Sequence, residues 1–158
     1  MVANFFNDLN NARVAENLIY STFGAKTKDY EFTQVGDKPA YYYKGDVIAT
    51  AKDGREIGIE VKCDSRIGHT RNVLCEYKVF YYDSGTYGKG NMCSDYDIYT
   101  IVSYSTREIF VIDFKKLKEI YTKGYHKVIP HADQDTYCYL VPLSMVEANG
   151  ALITTIGF

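Results

Sequence analysis

The apolar positions of this chain change period after its first two dozen residues. From about Asn4 to Phe23, Phe5, Leu9, Ala12, Ile19 and Phe23 recur at three-, four- and seven-residue intervals, which predicts an amphipathic helix with Gly24 as its stop. Glu16 falls in the middle of that stripe. A carboxylate aimed at a core is costly unless a cation, a metal or strong donors meet it. A kinked helix, or a side chain reaching sideways to solvent, is the structural alternative. Beyond the helix the period becomes that of strands, over Tyr30–Val35, Tyr41–Ala51, Arg55–Cys63 and Val73–Tyr82. A Gly-rich stretch from Ser84 to Gly90 interrupts the series. Asp97–Tyr104 and Arg107–Ile112 form a second hairpin pattern around Ser105-Thr106. Phe114–Tyr121 reads as a short helix with Lys115, Lys116 and Lys118 outward, and the tail offers a strand at Thr136–Val141 and a helix at Leu143–Ala148. Helix and strands mix in one chain without repeats or linkers, so the expectation is a single α/β (α+β) domain over residues 1–158.

The first hairpin carries the chemistry. Asp46 opens one strand, and Glu60-Val61-Lys62 lies inside the next. Alternation puts Ile59, Val61 and Cys63 on one face, and Gly58, Glu60, Lys62 and Asp64 on the other, with Glu60 and Lys62 roughly 7 Å apart along the strand. Whether Asp46 joins them depends on the turn. A two-residue turn at Asp53-Gly54 pairs Lys52 with Arg55 and sets Asp46 opposite Val61, on the wrong face. A three-residue loop, Lys52-Asp53-Gly54 with Gly54 left-handed, pairs Ala51 with Arg55 and sets Asp46 opposite Glu60. Two opposed carboxylates repel each other and suit a hard divalent cation. A lysine beside them adds positive charge where a phosphodiester gains negative charge during hydrolysis. The plain alternative is a solvated outer sheet face.

Composition narrows the partners. Eighteen basic against twenty acidic residues give a net charge of −2, without the basic excess of a protein that coats nucleic acid, so any DNA contact is local and metal-assisted. The four cysteines, Cys63, Cys75, Cys93 and Cys138, form no CxxC and read as reduced, mostly core thiols of a cytoplasmic protein. A metal site joining them to His126 and His131 is a weak alternative. No apolar run approaches a membrane span and no secretory leader is visible. The sixteen tyrosines suit half-buried sheets and also base stacking. Asp95 and Asp97 offer either a second acidic site or a solvated strand entrance, and Asp133 and Asp135 read as loop residues. Arg66, His69 and Arg71 sit in a loop that should lie beside the acidic hairpin, where they would grip phosphates or simply face water.

The ordered set of Glu16, Gly45-Asp46 and Glu60-Val61-Lys62 resembles the PD-(D/E)xK nuclease superfamily. Thr70-Arg71-Asn72-Val73-Leu74-Cys75-Glu76 and Ser94-Asp95-Tyr96-Asp97-Ile98-Tyr99 resemble its phage and plasmid branch of Holliday-junction-resolvase-like enzymes. The likeness covers roughly residues 4 to 112. It implies a restriction-endonuclease-like αβββαβ core, a central mixed β-sheet flanked by helices. It implies an Mg²⁺- or Mn²⁺-dependent endonuclease acting on duplex or branched DNA, with a homodimer as the form that cuts two strands. Asp46, Glu60 and the Val61 carbonyl would hold the metal, Lys62 would be the catalytic lysine and Glu16 the helix-borne acid. Arg66, His69, Arg71, Asn72 and Glu76 would contact substrate or support the site. Gly45 replaces the proline usual before the first acid. The rival function is a non-catalytic nuclease-fold module that binds protein, such as a phage inhibitor of a host defence system.

Overall fold

A computed structural model describes residues 2–36, 44–131 and 133–158, with side chains from residue 10 onward and through residue 130 of the strand that ends at 131. The residues at 41–43 of the second expected strand, and the Phe5 and Leu9 side chains of the expected helical stripe, lie outside that description. The fold is mixed α+β around a central mixed sheet, in the order α1 (Val2–Lys26), β1 (Tyr30–Gln34), β2 (Val47–Ala51), β3 (Glu56–Cys63), α2 (Ile67–Thr70), β4 (Asn72–Tyr81), β5 (Thr86–Lys89), β6 (Ile98–Ser103), β7 (Glu108–Asp113), α3 (Phe114–Ile120), β8 (Tyr125–His131), β9 (Gln134–Pro142), α4 (Leu143–Ala148) and β10 (Leu152–Gly157). No described helix is long and apolar enough to cross a membrane.

Among the described residues, six strands form the central sheet in the order β1-β2-β3-β6-β7-β10. Every pair is antiparallel except β3 with β6, which run parallel with Glu60 beside Tyr99 and Lys62 beside Ile101. That central pair is covered on both faces, as parallel strands usually are. Ile59, Glu60 and Val61 are all buried in succession. On one face α1 lays Ala15 and Ile19 over Ile59, Val61, Val102 and Val111. On the other, Tyr99, Ile101, Phe110 and Ile112 pack with Phe114 and Leu117 of α3 and with Val73, Cys75 and Val141 of a second sheet. That second sheet has the order β5-β4-β9-β8. The crossover from β3 to β6 therefore runs through a sheet as well as the one-turn α2, so strands as well as helices cover the second face.

Five elements, and the exposure of two cysteines, depart from the sequence reading. Gly24 does not stop α1, which continues to Lys26; its φ is not positive and open space surrounds its Cα. The Gly-rich stretch holds β5, paired with β4 through Phe80 and Tyr87. Strands β8 and β10 are additional, and Asp135 lies in β9 opposite Phe80 and Pro130 rather than in a loop. Of the cysteines, Cys75 and Cys138 are buried but Cys63 and Cys93 are exposed, all four as free thiols.

Candidate active site

The β2–β3 hairpin adopts the three-residue loop. The Ala51 N–H donates to the Arg55 carbonyl at 2.8 Å and the Gly54 N–H to the Ala51 carbonyl at 2.9 Å. Gly54 has φ +85°, the left-handed conformation that glycine reaches without penalty. The ladder then runs Thr50 to Glu56, Ala49 to Ile57, Ile48 to Gly58 and Val47 to Ile59. Asp46 follows at the end of the ladder, where its N–H donates to the Ile59 carbonyl at 2.8 Å. Its Oδ2 accepts the Val61 N–H at 2.8 Å, so the carboxylate caps the strand that carries Glu60 and Lys62. The N–H and C=O of one strand residue leave by the same edge, so the Val61 carbonyl also points toward the side Asp46 occupies. Gly45 explains its own identity. Its φ is +104°, and a Cβ there would stand 2.5 Å from the Ile59 carbonyl oxygen. Any side chain would push Asp46 away from β3.

Glu60 is 7% exposed and Lys62 Nζ lies 2.9 Å from its Oε1. Neither belongs to a solvated outer face: both lie on the side of the central sheet that meets the second sheet. Burial raises the Asp46 carboxyl, the nearby charge of Glu60 raises it further, the Val61 N–H opposes, and Glu16 adds to the rise, leaving a pKa of about 7. Burial acts to lower the Lys62 ammonium. The charge and hydrogen bond of Glu60, then the charges of Glu76 and Asp46, outweigh it and hold the group above its ordinary value. Glu16 sits on the continuous helix α1, next to buried Ala15, half-buried itself. Its effect on Asp46 places it within electrostatic reach of the hairpin acids. The structure thus brings Asp46, Glu60 and Lys62 together, with Glu16 in electrostatic reach of Asp46. Among the described residues no group of three or more His, Cys, Asp or Glu side chains is close enough to hold a metal. Two carboxylates and a backbone carbonyl remain as the donor set, which suits a cation that keeps part of its water shell.

The sheets part beside Lys62 to leave a cavity of about 380 Å³, and Arg66, Asn72 and Glu76 line it. His69 is exposed on α2 and is not part of that lining. Arg71 turns away as well: its Nη1 meets Glu108 Oε1 at 3.2 Å and its guanidinium lies 5.7 Å from the Phe110 ring centre. Asp97 serves the backbone, accepting the Gly58 N–H at 2.9 Å. With Asp95, Lys44, Glu56 and Lys115 it borders a separate shallow groove. Lys116 and Lys118 donate to the carbonyls of Gly150 and Ser94, so the basic helix face is partly engaged. Sequence reading missed Asn91, Tyr99 and Lys127, which also line the cavity. Asn91 follows the unrecognised β5 and Lys127 lies on the unrecognised β8; Tyr99 carried only the signal of a buried strand aromatic.

No family model and no curated protein matches this sequence. One solved structure, that of a bacterial homing endonuclease, I-Ssp6803I, superposes with a TM-score of 0.47 at 10% identity, over 80% of this chain and 74% of that one. The likeness is too loose to lend its chemistry to this chain.

Proposed function

We propose that the chain is a metal-dependent endonuclease that hydrolyses DNA phosphodiester bonds, a PD-(D/E)xK-type enzyme by its residue pattern. The observation that carries this reading is the cluster of like charge at the end of β2. Asp46 is held against β3 by the Val61 N–H, beside Glu60 and within reach of Glu16, and its pKa stands at about 7. Structural carboxylates are usually arranged so that their charge is relieved. Here Asp46 is raised by burial first and then by the charges of Glu60 and Glu16, and Lys62 opposes only in part. A divalent cation is the partner that such a set of oxygens suits.

Asp46, Glu60 and the Val61 carbonyl would hold Mg²⁺ or Mn²⁺, which when bound would acidify a water and offset phosphate charge. Lys62 remains protonated at neutral pH because Glu60 raises it. Its ammonium therefore acts as a fixed positive charge, able to orient a water or to face the phosphate oxygens as they gain charge. Glu60 positions that ammonium through the 2.9 Å contact. Glu16, in electrostatic reach of Asp46, would hold water of the cation's shell and keep Asp46 responsive to it. Arg66 and Lys127, at the cavity beside Lys62, supply the local cations that a chain of net charge −2 needs to meet a DNA backbone.

The test is cleavage of labelled duplex, branched and single-stranded DNA with Mg²⁺, Mn²⁺ or EDTA, beside Lys62→Ala. Metal-dependent cutting that disappears in the variant supports the enzyme, and the substrate cut fastest gives its type. A folded wild-type protein that cuts none of them overturns the reading in favour of a protein-binding module.

A further inference from the structure

Two packed sheets rarely leave a void larger than a water molecule between them. Here they leave about 380 Å³ directly beside Lys62. Its walls are apolar: Ile101 on the central sheet faces Leu74, Ile129 and Leu140 on the second. Tyr99 lines it too and is hydrogen-bonded through its hydroxyl to Asn91. The polar groups fall into two sets. Glu76 and Asn91 form one, joined by a 3.0 Å bond from Asn91 Nδ2 to Glu76 Oε2. Lys62, Arg66 and Lys127 form the other and are cationic. An apolar slot of this size with a few convergent polar groups is the form of a small-ligand site. A flat heteroaromatic ring matches the slot, its N–H and carbonyl edge matches a carboxylate beside an amide, and a phosphate matches the cations.

We propose that this cavity receives one unstacked nucleotide of the DNA strand. Its base lies between the sheets with an edge toward Glu76 and Asn91, and its phosphate lies toward Lys62. The inference rests on the nuclease reading and deepens it, because Lys62 belongs to both the hydrolytic cluster and the cavity wall. It also fixes the substrate class. Extruding a base from a duplex costs free energy, and the cost is least where the base is already unpaired. The preferred substrate is therefore DNA with a bulged or otherwise unpaired nucleotide next to the cut.

The experiment compares binding, in EDTA, to a duplex with one bulged nucleotide and to the same duplex fully paired, for wild type, Leu74→Phe and Ile129→Phe. Melting curves confirm that the variants fold. The two substitutions enter the void from different strands, so one remains informative if the other fails to fold. Wild type should favour the bulged duplex about tenfold or more, and the filled variants should lose that preference while binding paired duplex like wild type. Equal affinity of wild type for the two duplexes, with metal-dependent cleavage intact, overturns the pocket and leaves the nuclease standing. Cleavage absent while the bulge preference and its loss on filling persist overturns the nuclease instead. A third arm adds free deoxynucleoside monophosphates. If they raise the melting temperature of wild type only, and no bulge preference is found, the ligand is a free nucleotide and the in-strand proposal fails.

Discussion

Replacing Asp46 by Asn should make the metal-free protein more stable at alkaline pH while removing cleavage. Between pH 3.8 and about 7 the folded protein keeps a proton on Asp46 that the unfolded chain releases. The native state then binds more protons than the unfolded state, so stability falls as pH rises through that window. The difference amounts to about three pKa units, or about 4 kcal/mol once the pH is above 7. Asparagine is close to isosteric. Its Oδ1 can accept the Val61 N–H that Asp46 Oδ2 accepts now, and its amide can donate toward Glu60 where a carboxylate repels it. Urea unfolding of both proteins in EDTA at pH 5, 6, 7 and 8 tests this. The groups common to the two proteins cancel in the difference, which should open from near zero at pH 4 to its full value near pH 8. In melting temperature the separation is roughly 8–16 °C for a domain of this size. Adding Mn²⁺ at pH 8 should narrow the gap to about 1 kcal/mol, raising wild type by about 2.7 kcal/mol at a hundredfold excess over Kd and leaving Asp46→Asn unmoved. Parallel pH profiles of the two metal-free proteins would refute the claim that Asp46 is held under electrostatic stress.

Gly45→Ala should remove cleavage and cost at least about 1–2 kcal/mol from the left-handed backbone alone, since its Cβ also meets the Ile59 carbonyl at 2.5 Å; urea unfolding and the cleavage assay read the two effects. Glu60→Gln should lower the Lys62 pKa, because burial then acts with its main opponent removed; an NMR titration of the Lys62 side chain against pH measures it. Arg71→Ala should cost less than about 1 kcal/mol and leave DNA affinity unchanged, since the guanidinium is turned to Glu108; a filter-binding titration at fixed salt decides the second half.

Every strand with two neighbours was legible in the sequence, and of the edge strands only β1 was. Strands β2, β3, β6 and β7, with β4 and β9 of the second sheet, each pair on both sides and carry the dense β-branched and aromatic runs that interior strands need. The strands that escaped notice, β5, β8 and β10, are all edges. An edge strand needs only half a ladder and tolerates residues that an interior one does not: Pro130 sits in β8, glycine in β5, and the middle of β10 is exposed. The acidic hairpin was legible because turn chemistry fixes register, and Gly54 after Lys52-Asp53 favours one of only two choices. Its surroundings were not. Alternation separates the two faces of β3 but does not say which of them meets water, and the face carrying Glu60 and Lys62 meets a sheet whose strands lie 10 to 80 residues downstream. Arg71 was ambiguous for a similar reason. Its partner Glu108 lies 37 residues away, and local spacing says nothing of it.

Strand β2 has one further property, and it concerns heredity. Val47, Ile48 and Ala49 are consecutive and all buried, so both sides of the strand are greasy and the core accepts either one inward. The hydrophobic pattern, which locks register in most sheets, has no vote here. Register rests instead on the number of residues in a surface loop, Lys52-Asp53-Gly54. Loss of a single codon there would turn Asp46 to the other face and exchange Val47 and Ala49 for Ile48 under α1. A gene of this design stands one in-frame deletion from a folded protein without its acidic cluster. A lineage that no longer needs the chemistry can discard it and keep the scaffold for binding.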